Sequence, residues 1–143
     1  MYKILLAVDG SDPSVRATQA LIKSLREHKA SPQIDVLTVH LPLPNIGTIG
    51  SVITKEIRDR YYQEECDEAL APTIKLLDEA GIKYQVHRAI GPIADTIVEK
   101  AAELGSDLIY MGTHGRGGAT KLIMGSVANK VLQLSPIPVQ LVK

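Results

Sequence analysis

The stretch MGTHGRGGATKLIMGS, residues 111 to 126, concentrates five of the chain's eleven glycines. Its spacing is Gly112, two residues, Gly115, nine residues, then Gly125 and Ser126, followed at once by a run of helical pattern. Glycine lets a backbone turn tightly and brings its amides to an anion with no Cβ in the way. A helix starting after Gly125 adds unpaired N–H groups and a favourable dipole, and the Ser126 hydroxyl adds a donor. Arg116 and Lys121 lie between the glycines and supply local positive charge. These pieces compose a polyphosphate site. The competing reading is an ordinary glycine-rich connection in which Ser126 caps the helix.

Two familiar phosphate signatures are excluded. The chain has no Gly-Lys pair, hence no Walker A loop, and Thr120 stands where a GxGxxG motif beginning at Gly115 needs its third glycine. His40 occupies the end of the second strand, where NAD-type ribose binding calls for an acid.

Asp9, in the segment AVDGS, is the second candidate. An Asp before Gly commonly forms a turn or a cap. Here Asp12, next to Pro13, reads as the cap of the following helix, which leaves Asp9 to face a ligand by a hydrogen bond or to contact Mg2+ through water. The histidines at 28, 40, 87 and 114 form no HxxxH pair, which argues against a metal site. His87 is expected to point to solvent; His114, inside the glycine loop, suits either a phosphate or base contact or plain exposure. Cys66 lies on an apolar helical stripe and reads as core. Ser11 and Ser14 follow no GxSxG elbow, so no Ser-His-Asp constellation is proposed.

The elements that must position these residues alternate along the chain. KILLAV at 3 to 8 is a continuous apolar run, as in a central strand of a parallel sheet covered on both faces. A helix follows Asp12 and Pro13, with Val15, Leu21, Ile22 and Leu25 on one face and Thr18 between them. IDVLTVH at 34 to 40 reads as a second buried strand, and LPLPNIGTIGS at 41 to 51 as a loop, rich in proline and glycine, that leaves the sheet at the ligand end.

Residues 52 to 80 are helical in pattern, with Tyr62, Cys66, Ala69, Leu70, Thr73, Ile74 and Leu77 in one stripe, although Pro72 should kink or interrupt them. IKYQVHRAI at 82 to 90 alternates like an edge strand with one wet face. A helix after Pro92 buries Ile93, Ile97, Val98, Ala101 and Leu104; then come a strand at 107 to 112, a short helix at 126 to 134 and a last strand at 138 to 142. This βαβαβαβαβ order implies a parallel α/β sheet with helices on both faces and a ligand at the strands' carboxyl ends.

The 143 residues suit one domain, 1–143. Lys plus Arg and Asp plus Glu both number 16, so no net positive charge favours nucleic acid or an anionic membrane. One cysteine excludes an intramolecular disulfide and fits the reducing cytoplasm. No apolar run approaches the roughly 18 residues of a membrane helix, and none resembles a secretory leader.

The GxxGx9GS spacing at 112 to 126, AVDGS at 7 to 11 and the SPIPV run before the last strand together resemble the universal stress protein family in its ATP-binding branch. The resemblance spans essentially the whole chain. It implies a five-stranded sheet of order 3-2-1-4-5, a Rossmann-like fold akin to the adenine nucleotide alpha hydrolases, and ATP, with or without Mg2+, as the ligand. Gly112, Gly115, Gly125 and Ser126 match the family's phosphate and ribose loop, and Asp9 its acidic position after the first strand. Met111 and Val127 flank matched positions. Val39 is where the family's adenine contact tends to fall, and no motif anchors that assignment. The resemblance also implies a homodimer through the last strand, whose exposed edge carries Val139, Leu141 and Val142.

A nucleotide-dependent regulatory protein of the stress response, without efficient catalysis, is the reading these features favour. The binding half of a phosphoryl-transfer site is visible, whereas no group that would orient a nucleophile is. The alternatives are a slow ATP hydrolase or phosphotransferase using the same site, and a nucleotide-free dimeric scaffold for an unidentified protein partner.

Overall fold

The computed structural model describes residues 1–44, 54–114 and 124–143. The elements run β1 (Lys3–Ala7), α1 (Asp12–Glu27), β2 (Gln33–His40), α2 (Lys55–Glu79), β3 (Gln85–Ile90), α3 (Ile93–Leu104), β4 (Leu108–Gly112), α4 (Ser126–Leu134) and β5 (Val139–Val142). The five strands form one parallel sheet in the order β3-β2-β1-β4-β5. The expected Rossmann-like topology is therefore present, with β3 and β5 at the edges.

β1 shows why a continuous apolar run marks the centre of such a sheet. Successive side chains point to opposite faces. Ile4, Leu6 and Val8 join Leu21, Ile34, Val36, Leu70 and Leu77 under α1 and α2. Leu5 and Ala7 join Leu37, Ile97, Ile109, Met111 and Val131 under α3 and α4. Both faces are covered, so every residue of the run from Ile4 to Val8 is buried.

Of the two outcomes expected of Pro72, a kink or an interruption, the interruption does not occur: α2 is continuous from Lys55 to Glu79. A proline in a helix interior costs about 3 kcal/mol through one lost hydrogen bond and a ring clash. The stripe that flanks it, Cys66, Ala69, Leu70, Thr73 and Leu77, is buried. Leu70 and Leu77 are fully buried, and at roughly 1.5–3 kcal/mol for each they offset the penalty. Thr73, directly after the proline, also meets Thr18 of α1 hydroxyl to hydroxyl at 2.9 Å.

His87 is a second correction. The sequence placed it toward solvent, whereas its Nε2 lies 2.8 Å from Oδ1 of the fully buried Asp35. The register pairs Asp35 with Gln85 and Leu37 with His87, which sets both polar residues on the same face of the sheet.

Candidate functional site

β1 ends at a turn that Asp9 organises. Its Oδ1 accepts hydrogen bonds from the Ser11 amide at 3.0 Å, the Ser11 hydroxyl, and the Ser14 hydroxyl at 2.7 Å. Its own amide donates to the Ser14 hydroxyl at 3.0 Å. Ser11, not Asp12, is the N-cap of α1, since Asp12 is already the first helical residue and Pro13 follows it. The cap thus lies one residue before the position expected from sequence, and Asp9 is engaged in local bonding. Asp9 is both a turn organiser and a wall residue of the cleft above it.

The second wall is the glycine segment. A Cβ on Gly112 would lie 2.9 Å from both the Cβ and the carbonyl oxygen of Pro13, so glycine here lets α1 sit against the end of β4. A Cβ on Gly125 would come within 2.8 Å of the Thr113 carbonyl oxygen, which accepts the Gly125 amide at 2.7 Å. Gly125, not Ser126, is the N-cap of α4, and among the described residues no side chain caps that helix. The amides of Ser126, Val127 and Ala128 open the first turn, where a helix has no internal acceptor for them. Gly125 thus spends its own amide on Thr113 and aims the next three. Gly115 and Arg116, together with Lys121, lie outside the described residues.

These walls enclose a cleft of about 640 Å³ at the carboxyl ends of β1, β2 and β4, within the range of small-molecule sites. Asp9, Val39, Met111, Gly112, Gly125, Ser126 and Val127 all line it. Leu37, Ile93, Ile97 and Ala128 make one side apolar, while Thr38, His40, Glu65 and Cys66 form the side under α2. Cys66 is buried, as expected of core, and burial pushes its thiol above the ordinary value; it therefore stays protonated.

Sequence reasoning missed Ser14, buried and bonded to Asp9 from a full helical turn away. A serine five residues after an Asp at a strand end was the available signal. It also missed Glu65 and the role of His40 as wall, because nothing local states that α2 covers the end of β2. His114 lies at the cleft with its Nδ1 2.9 Å from the Thr113 hydroxyl. Among the described residues, no group of three or more His, Cys, Asp or Glu could hold a metal ion, and no helix is long and apolar enough to cross a membrane.

A parallel sheet of this strand order, with a helix N-terminus and an acidic turn facing one cleft, defines the Rossmann-like class whose ligands bind at the strand ends. The model of the universal stress protein family matches residues 1–143, and the chain belongs to that family. It is 33% identical to universal stress protein MJ0531 of Methanocaldococcus jannaschii, over 99% of this chain and 81% of that one. It is 30% identical to universal stress protein YxiE of Bacillus subtilis, over 99% and 98%. Among solved structures, MJ0577 of Methanocaldococcus jannaschii superposes with a TM-score of 0.77 at 26% identity, covering 99% of this chain and 95% of that one. The universal stress protein from Archaeoglobus fulgidus in complex with dAMP superposes at 0.65 and 25%, covering 100% and 98%.

Proposed function

We propose that the chain binds an adenine nucleotide, ATP foremost, in the cleft at the ends of β1, β2 and β4, and acts as a nucleotide-dependent regulatory protein of the stress response. The observation that carries the reading is the N-terminus of α4, uncapped by any side chain among the described residues and opening on the same cleft as the Asp9 turn. Three amides and the positive end of a helix dipole suit a phosphate chain. Ser126, whose hydroxyl has no partner among the described residues, adds a donor, and Gly112 and Met111 line the floor between phosphate and base. Val39 and the apolar side of the cleft accept the flat face of the base. The relative with dAMP supports an adenine nucleotide as the class of ligand.

Gly115 and Arg116 complete the phosphate loop in this reading, and Asp9 meets the ribose or, through water, Mg2+ held by the phosphates. A carboxylate fixed by two serine hydroxyls suits either partner. The open edge of β5 joins a second copy of the chain, and the protein works in the cytoplasm as a single domain. No efficient turnover of ATP is expected in this reading.

Calorimetry with ATP, with and without Mg2+, tests the reading. Saturable binding that weakens at least tenfold in Asp9→Asn supports it; no binding at millimolar ATP, with no nucleotide released from the purified protein on denaturation, overturns it.

A further inference from the structure

The wall of the cleft under α2 differs in chemistry from the helix N-terminus opposite. His40 ends β2, and its Nδ1 lies 2.6 Å from the Leu41 carbonyl oxygen. A carbonyl only accepts, so Nδ1 is the nitrogen that carries the hydrogen, and in that tautomer Nε2 is the ring's acceptor. Nε2 has no partner among the described residues. The ring is held edge-on by two aromatic neighbours, Tyr61 at 5.6 Å and 82° and Tyr62 at 5.7 Å and 64°. Tyr62 is itself fixed by the Leu43 amide, which donates to its hydroxyl at 2.7 Å. Glu65, one turn along α2 from Tyr61, lines the same wall.

Resting on the nucleotide reading above, we infer that His40 and Glu65 form an acceptor wall that recognises a hydrogen-bond donor on the ligand and so determines specificity and orientation. A phosphate cannot approach this wall, because the Glu65 carboxylate repels it, and it is directed to the amides of Ser126 and Val127 instead. The end of the ligand that fits is one bearing N–H or O–H groups. On an adenine nucleotide two groups qualify: the exocyclic amino group of the base and the hydroxyls of the ribose.

The test compares Kd values for ATP, ITP and 2′-deoxy-ATP in the wild type, His40→Phe and Glu65→Gln. The His40→Phe variant keeps a ring against Tyr61 and Tyr62 and removes the acceptor. Losing one neutral hydrogen bond should weaken ATP binding roughly three- to tenfold. If the donor is the amino group, the wild type prefers ATP to ITP and this preference shrinks by that factor in both variants. If it is the ribose hydroxyl, the preference for ATP over 2′-deoxy-ATP shrinks instead. Either result supports the acceptor wall. Unchanged ratios in both comparisons, with nucleotide binding intact, overturn it while leaving the nucleotide reading standing. A wild type that binds none of the three overturns both.

Discussion

The imidazole of His87 on the edge strand β3 bonds the carboxylate of Asp35 on β2 at 2.8 Å, and none of the Asp35 side chain is exposed to solvent. The other carboxylate oxygen accepts a hydrogen bond from Nε2 of the Gln33 side chain at 3.3 Å. A carboxylate taken fully out of water is tolerated because these two donors replace its hydration. Removing His87 leaves the charge buried with one long hydrogen bond. Loss of a partner in a fully buried pair costs about 3–5 kcal/mol. With 25% of the His87 side chain exposed, water can partly replace it, so His87→Leu should cost about 2–4 kcal/mol in urea unfolding. The double variant Asp35→Leu with His87→Leu should be less destabilised than His87→Leu alone. A neutral single variant would show that the pair contributes nothing.

Tyr110 of β4 gives the protein an alkaline limit. Burial holds its phenol above the ordinary value of 10.0. The folded state therefore keeps the proton to higher pH than the unfolded chain, and the contribution is full below 10.0 and lost as pH rises through the raised value. Urea midpoints between pH 8 and 11 should fall more steeply for the wild type than for Tyr110→Phe. Tyr61 and Tyr84 are raised as well, Tyr84 chiefly by its hydrogen bond to Asp78, and both proteins retain them, so the difference belongs to Tyr110. Parallel pH profiles would contradict this.

Gly112→Ala separates packing from ligand contact. Its new Cβ meets two atoms of Pro13 at 2.9 Å, and relief requires the first turn of α1 to retreat. Overpacking of this kind costs roughly 1–3 kcal/mol. Because that turn carries Ser11 and Ser14, which hold Asp9, nucleotide affinity should fall with stability. Thermal melts and titrations on the same preparation check both; unaltered melting would show that α1 yields freely.

Pro72→Ala should stabilise α2. It restores the amide that the helix lacks at that turn, worth up to about 3 kcal/mol, against roughly 1 kcal/mol from the more flexible unfolded chain. A rise in the urea midpoint equivalent to about 1–2 kcal/mol is the expected result. A fall would mean that the ring itself packs better than the methyl group does.

Much of the fold could be read locally. The run from Ile4 to Val8 is apolar on both parities, as a doubly covered strand requires, and is buried, as is β2 from Ile34 to Thr38. Gly112, Gly125 and Ser126 were legible as a spacing between a strand and a helix. Their reasons were not: two of the glycines answer to Pro13 and Thr113, contacts made across the fold. Pro72 does not break α2 because helix propensity is a local cost, whereas the burial of Leu70 and Leu77 that outweighs it is a tertiary gain.

Periodicity and punctuation are properties of neighbouring residues, and the sequence by itself determined through them the alternation of strands and helices and the placement of Asp9 after β1 and of Gly125 before α4. The tertiary structure alone decided which polar groups meet. Asp35 and His87 stand 52 residues apart, and Glu65 and His40 line one cleft because α2 lies across the end of β2. Such pairings depend on strand register and helix placement, which sum weak preferences over the whole chain, so no local pattern carries them.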